Sequence, residues 1–154
     1  MILMIHMLFG AAIGSNINNI FIAIGLAILG HYFLDAFPHI EYKVDNIKAK
    51  LWKKAVPDFI KIFFDILIGL LLILFFSKNT FSIYICVFAA ILPDMLSLAE
   101  ILMPFKFFKK HSYFHREKIH FLSKHPAMAK KIPIYWKFLT QAVFLALSIF
   151  FLKV

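Results

Sequence analysis

The sequence contains one cysteine among 154 residues, so it can form no internal disulfide and no thiolate cluster for a metal. Cys86 lies in an apolar run, where a free cysteine usually behaves as a small buried hydrophobic residue. We find no serine in a pattern typical of a catalytic nucleophile. Any reaction at this protein therefore has to use other side chains.

Acidic residues are also few, with 8 Asp and Glu against 17 Lys and Arg, which gives a formal net charge of +9. A basic chain can bind nucleic acid, but 62% of these residues are hydrophobic and 20 are Phe. Soluble domains have about 45–50% apolar residues. We therefore expect basic loops beside a membrane and no nucleic-acid partner. No Lys or Arg precedes the first apolar run, so we expect no cleaved signal peptide.

Five apolar segments predict an all-α fold, a polytopic membrane helix bundle formed by a single domain, 1–154. The first segment is short, since a membrane span needs about 20 residues. The segments cover residues 1–14, 20–37, 59–77, 81–103 and 135–153. The basic and aromatic stretch 104–134 is typical of an amphipathic helix or loop at the membrane interface.

The distribution of basic residues predicts an orientation. The stretch from Lys43 to Lys61 and the stretch from Lys106 to Lys137 together hold 15 of the 17 Lys and Arg residues. Five alternating helices place both stretches on one side, which the positive-inside rule makes cytoplasmic. We expect a bacterial-type inner membrane protein with its N-terminus in the cytoplasm and its C-terminus outside.

Histidines and a carboxylate meet at the end of the second apolar segment. If this segment is helical, His31 and Asp35 share a face with Cβ atoms about 5–6 Å apart. Pro38 disfavours helical backbone at the residue before it, so the helix should end there. His39 then lies on the following turn, near Asp35.

Further ionisable groups lie in the cytoplasmic half of the other segments. At 1.5 Å per residue, Asp65 is about 9 Å and Asp94 about 13 Å from the cytoplasmic ends of their helices. A charge in hydrocarbon is costly and usually faces a bundle interior or a wet cavity. His6, in the first segment, is an isolated histidine that can also be a packing residue. Ion pairs with Lys61 or the loop lysines are the structural alternative for the two aspartates.

A site built from histidine and aspartate suggests zinc or another divalent cation, and these ligands would also suffice for two metals. The predicted ligands are His6, His31, Asp35, His39, Asp65, Asp94, His115 and His120. Asp65 or Asp94 could also act as general base toward a metal-activated water. Arg116 could hold a phosphate or carboxylate of an anionic, lipid-like substrate drawn from the membrane.

Two short motifs resemble a known family. Pro93-Asp94, followed by His115-Arg116-Glu117-Lys118-Ile119-His120, is similar to the "PD…HRGxTH" signature of the inner-membrane, LexA-regulated family of metal-dependent hydrolases. The stretch Gly30–Asp35 resembles the "SHxxxD" helix of that family, although here it precedes the "PD" motif. A more distant similarity is to zinc-dependent phospholipase C proteins. The resemblance implies metal-site roles for Asp94, His115, His120, His31 and Asp35, and His6 resembles an N-terminal histidine of these chains.

The functional prediction is therefore a membrane-embedded, metal-dependent hydrolase of a phosphoester or lipid-like substrate. One alternative is a non-enzymatic protein that relays or transports protons or metal ions through the same cluster. Another is a structural protein whose polar groups only join helices. A closed pocket with an open metal position favours the hydrolase, whereas a polar path to the outer face favours the relay.

Overall fold

The computed structural model describes residues 1–103, 105–120 and 132–152. Over these ranges the chain is all-helical and has no strand, which confirms the all-α part of the predicted fold class. Seven α-helices follow one another in the described chain: α1 (Leu3–Asn16), α2 (Ile20–Ala36), α3 (Asp45–Lys48), α4 (Val56–Phe76), α5 (Phe81–Leu102), α6 (Lys106–Phe114) and α7 (Ile134–Leu152). A 3₁₀ turn at Trp52–Lys54 precedes α4, and a π-helical turn at His115–Ile119 follows α6.

The long apolar segments of the sequence become α1, α2, α4, α5 and α7. Three of them, α4, α5 and α7, are long and apolar enough to cross a membrane. The other two, α1 and α2, are apolar but shorter, with 14 and 17 residues. The predicted amphipathic element is present as α6, while residues 121–131 of the same stretch lie outside the described residues.

The short helix α1 lies at the centre of the bundle and packs against α2, α4, α5 and α7. Two glycines permit its close approach to α5. A Cβ at Gly10 would lie 2.6 Å from the Cys86 carbonyl oxygen, and one at Gly14 would lie 2.8 Å from the Ile83 Cα. Small residues spaced four apart are a common way to bring two membrane helices together. The backbone contact between α1 and α5 therefore depends on these two positions.

Local sequence explains where α2 begins and ends. The Asn19 side chain caps its first turn by accepting from the backbone N–H of Phe21 at 3.0 Å and of Ile22 at 3.2 Å. At the other end Phe37 is extended, with φ −82° and ψ 153°, because Pro38 follows it. The predicted stop is thus confirmed, and it leaves His39 on an extended segment below the helix.

The two longest helices, α4 and α5, are joined by only four residues, 77–80, but they diverge from there. Both pack against α1, and they are not among the principal pairs of packed helices. Near the connecting loop, α1 and α4 share an apolar core that includes Met7, Leu8, Ala11 and Ile73. The candidate site lies at the other end of these helices.

Candidate metal centre

Five buried histidines and the buried Asp35 meet where α1, the end of α2 and the turn after α6 come together. Asp35 is fully buried, as are His6 and His31. The distances from its carboxylate oxygens to histidine Nε2 atoms are 3.0 Å for His115, 3.2 Å for His6, His31 and His120, and 3.8 Å for His39. The α-amino group of Met1 also contacts this carboxylate. One carboxylate therefore organises the whole cluster.

The π-helical turn after α6 explains how His115 and His120 reach the same point. In a regular α-helix, residues five apart are separated by about 140° around the axis. The wider π turn, closed by the His120 N–H bonding to the His115 carbonyl oxygen at 3.3 Å, reduces this angle. The two imidazole ring centroids are 4.9 Å apart. A local departure from α-helical geometry thus places both histidines on Asp35.

Hydrogen bonds on the outer side of two rings determine which nitrogen faces the cluster. The Nδ1–H of His31 donates to the Ala90 carbonyl oxygen at 2.6 Å. The Nδ1–H of His115 donates to Ser97 Oγ at 3.1 Å, because that hydroxyl itself donates to the Pro93 carbonyl oxygen at 3.0 Å. Neutral rings held in this way direct the Nε2 lone pair inward. Metal-bound histidines are commonly oriented by such partners.

Three inward-facing atoms form a nearly equilateral triangle. His31 Nε2 and His115 Nε2 are 3.1 Å apart, and Asp35 Oδ2 is 3.2 Å and 3.0 Å from them. Two ligands of a tetrahedral zinc ion are separated by roughly 3.3–3.4 Å when each bond is about 2.0–2.1 Å. The three atoms are acceptors when the rings are neutral, so a cation among them satisfies all three. This buried His/Asp group can hold a metal ion.

His6 and Asp94 lie beside this triangle, and with His31 and Asp35 they form a first group of potential ligands. The His6 ring stacks on that of His31 with centroids 4.1 Å apart, and neither of its nitrogens makes a well-aligned hydrogen bond within the described chain. Asp94 Oδ1 lies 3.9 Å from His31 Nε2, and this side chain is 31% exposed. His6 therefore closes the buried side of the group, and Asp94 stands on its accessible side.

A second group surrounds the other face of Asp35. Its members, Asp35, His39 and His120, each offer a ligand atom within 4.8 Å of the others, as do the members of the first group, His6, His31, Asp35 and Asp94. The Nδ1–H of His39 donates to the Phe37 carbonyl oxygen at 2.7 Å, which directs its Nε2 toward the carboxylates. The predicted place of His39 beside Asp35 is therefore observed, at 3.8 Å.

Glu41 is a carboxylate of this region that the sequence did not single out. Its Oε1 lies 2.9 Å from His39 Nε2 and 3.1 Å from His120 Nδ1. Burial opposes ionisation of Glu41, but hydrogen bonds with His120 and His39 outweigh it and hold the pKa of this carboxyl below its ordinary value. Burial likewise opposes protonation of His120, yet its bonds to Asp35 and Glu41 raise its pKa. The one available signal was the position of Glu41, two residues after His39.

Asp65 lies apart from the cluster of histidines and accepts hydrogen bonds from the start of α1. Its oxygens accept from the backbone N–H of Leu3 at 2.7 Å and of Met4 at 3.2 Å, so it caps that helix from α4. Neither group of potential ligands includes it. The alternative of an ion pair with Lys61 is not observed, because Lys61 pairs with Asp58 at 3.2 Å.

A cavity of about 660 Å³ opens beside the cluster. Asp94, His115 and His120 line one part of it, and Arg116 lies on its wall. Arg116 is half exposed and pairs loosely with Glu100, with Nη2 and Oε2 3.6 Å apart. The predicted anion-binding residue is therefore near the cluster and faces the same cavity.

Two further side chains extend the cluster away from the cavity. The Tyr32 hydroxyl and His111 Nε2 are hydrogen-bonded at 3.0 Å, and the His111 and His115 rings are 5.9 Å apart. Ser97 is a partner that the sequence did not reveal, since it stands one turn after Pro93 with no distinguishing pattern.

No protein-family profile, curated protein or solved structure matches this chain.

Proposed function

We propose that this protein is a membrane-embedded, metal-dependent hydrolase of a phosphoester or lipid-like substrate. The observation that carries the proposal is the triangle of His31 Nε2, His115 Nε2 and Asp35 Oδ2, with both Nδ1–H groups bonded outward. The motif resemblance to the LexA-regulated hydrolase family supports the same activity. In this proposal His31, Asp35 and His115 hold the ion, and His6, His39 and His120 surround it.

Zinc is the proposed metal, because the group is rich in imidazole and contains no thiolate. A zinc ion held there would supply a Lewis acid and a water activated near neutral pH. Two imidazole nitrogens, of His31 and His115, and one carboxylate oxygen of Asp35 meet at the same point, which fits an ion that binds nitrogen and oxygen together.

The remaining chemistry falls to residues on the cavity side. Asp94 has one oxygen near His31 and is otherwise accessible, so it can accept the proton of an attacking water. Arg116 stands on the same wall and can neutralise the charge of a phosphate by bidentate hydrogen bonding. Asp65 is already engaged, because its carboxylate caps α1 and lies apart from the cluster. We therefore assign the general-base role to Asp94.

The proposed setting is a membrane crossed by α1, α2, α4, α5 and α7, with the cluster in the cytoplasmic half. The concentration of Lys and Arg in residues 43–61 and 106–137 supports this orientation. In this setting the bundle is surrounded by membrane lipid, which we propose as its partner. The large exposed apolar side chains of α4, such as Phe63 at 60% and Phe75 at 80%, also suit a lipid environment.

An ion relay is the alternative function for these residues. It would need ionisable groups along the bundle toward the loop 77–80. Among the described residues, α1, α4 and α5 instead meet there in an apolar core that contains Leu8, Ile73 and Val87. This core favours a closed site that is entered from one side.

The proposal is tested by metal analysis and phosphate release on protein purified in detergent. The wild type should hold a stoichiometric divalent metal and release phosphate or alcohol from a panel of phospholipids and soluble phosphoesters. Asp94→Asn should keep the metal but lose activity by about a hundredfold or more. Glu117→Gln, the matched control, should retain both. A wild type that binds no metal, or an Asp94→Asn variant with full activity, would contradict the proposal.

A further inference from the structure

We propose that the substrate is an anionic lipid that enters sideways from the bilayer, through the gap between α4 and α5. This inference rests on the proposed function and names its substrate class. The phosphate would lie at the His/Asp cluster, and an acyl chain would lie in the gap against Ile66 and Met95. A lipid phosphate and a soluble phosphate share the same polar recognition, so the acyl-chain contacts decide between them.

The gap follows from how the two helices are connected. The loop 77–80 joins α4 to α5 closely at one end, where the Tyr84 hydroxyl donates to Asn79 Oδ1 at 2.8 Å. Toward the other end both helices pack on α1 rather than on each other. The described chain thus leaves a wedge between them, and residues of both helices line the cavity in it.

One wall of the cavity in this wedge is apolar and comes from both helices. Ile62 and Ile66 contribute from α4, and Ile91, Met95 and Leu98 contribute from α5. From Ile91 to Leu98 the wall extends roughly 10 Å along the helix axis at 1.5 Å per residue. A small soluble phosphoester has no apolar chain to pack against this wall. An acyl chain that enters from the lipid would bury its methylene groups there.

The polar part of the same cavity is suited to an anion. Lys48, Lys50 and Arg116 are among its lining residues, together with the carboxylates Glu41 and Glu100, and His115 and Asp94 line it beside the cluster. Basic residues near a membrane surface attract anionic headgroups. The cavity is therefore amphiphilic, with cations and potential metal ligands at one end and aliphatic side chains at the other. This division matches the chemistry of a phospholipid or a lipid phosphate.

Binding measurements on two tryptophan variants test the gap without relying on turnover. Ile66→Trp should fill the wedge, while Ile68→Trp places the same side chain two residues away, at a position that is 47% exposed. Dioleoyl phosphatidic acid in lipid nanodiscs and glycerol 3-phosphate in solution serve as the two probes. We expect Ile66→Trp to weaken binding of phosphatidic acid by about tenfold or more and binding of glycerol 3-phosphate by less than about twofold.

The control variant and the metal content separate the possible failures. Ile68→Trp should bind both probes like the wild type, and all three proteins should hold equal metal and melt cooperatively. If Ile66→Trp is misfolded, Met95→Trp gives the same test from the other helix. Equal loss of both probes, or no loss in either gap variant of a metal-loaded protein, would overturn lateral entry while leaving the hydrolase proposal intact. A wild type without metal that binds neither probe would overturn both.

Discussion

His31 and His115 approach each other with Nε2 atoms 3.1 Å apart, although both rings donate from Nδ1 to partners outside the cluster. Two neutral imidazoles in this arrangement direct lone pairs at each other, which is unfavourable in a buried site. A shared cation removes the conflict and binds both nitrogens. The pair can therefore hold an ion between its two Nε2 atoms.

Removal of either ring should abolish metal binding. We expect His31→Ala and His115→Ala each to lower the metal content of purified protein from about one ion per chain to less than about a tenth, because each supplies a ligand. His111→Ala is the matched control, since this histidine bonds to the Tyr32 hydroxyl instead of the cluster. Metal content measured by atomic mass spectrometry that is equal in His31→Ala and wild type would rule out the assigned role.

Ser97 should affect the affinity of the site for metal, although its hydroxyl is not a ligand. Ser97→Ala removes the acceptor that orients the His115 ring, and losses of partners of this kind typically cost about 10–100-fold in metal affinity. Competition with a chelator measures the change. Ser97→Thr keeps the hydroxyl and should restore most of the affinity. Ser82→Ala changes a half-buried serine elsewhere on α5 and should have no effect. A Ser97→Ala protein with unchanged affinity would show that the orientation of His115 has another source.

Asp35 and Asp65 should differ sharply in what their removal does. Asp65→Ala removes the cap of α1 and should lower the free energy of unfolding by about 1 kcal/mol while the metal content stays unchanged. Asp35→Ala removes the carboxylate contacted by five histidines and should abolish metal binding. Metal analysis and unfolding in detergent measure both effects. Loss of the metal in Asp65→Ala would instead make Asp65 a ligand, as its sequence position first suggested.

The packing of α1 on α5 can be tested with two glycines. A Cβ at Gly10 would meet the Cys86 carbonyl oxygen at 2.6 Å, so Gly10→Ala should lower the free energy of unfolding by about 1–3 kcal/mol. Gly25→Ala is the matched control, because a Cβ at Gly25 meets no atom within 4 Å. It should be neutral, or stabilising by up to about 1 kcal/mol through helix propensity. Equal thermal stability of the two variants would mean that the helices separate without cost.

Removal of the metal should lower the stability of the fold and abolish the activity. An ion that binds only the folded chain stabilises it by about 4 kcal/mol at a thousandfold excess over its dissociation constant. Dialysis against a chelator should therefore lower the midpoint of thermal unfolding, and added zinc should restore it. The His31→Ala variant should show no response to either treatment. If the midpoint of the wild type does not change on treatment with the chelator, these residues do not hold a metal.

Features that depend on near neighbours in the chain were predictable. The spacing of His31 and Asp35 follows from helical periodicity, and the end of α2 follows from Pro38. Asp94 was also expected near the histidines, and its Oδ1 lies 3.9 Å from His31 Nε2, whereas the orientation of the helices in a membrane stays a prediction. These predictions succeeded because short-range geometry and the alternation of apolar and basic segments determine them.

Features that depend on contacts between helices were not predictable. The spacing of His115 and His120 does not match an α-helical face, and only the π turn reconciles it. Asp65 lies at a depth that suggested a ligand, yet its partners are backbone N–H groups of α1, which no pattern in α4 reveals. Glu41 and Ser97 became relevant only through the positions of rings that are distant in the chain.

The central position of α1 has a consequence for biosynthesis. Its fourteen residues extend about 21 Å, less than the roughly 30 Å thickness of the hydrocarbon layer. The helix carries His6 and the two packing glycines, and its partners α4, α5 and α7 all lie later in the chain. It precedes them during translation and can acquire its neighbours only after they have been made. Because His115 and His120 follow α5, the cluster should assemble only after the turn beyond α6 has been made, and a shorter nascent chain should be unable to capture metal.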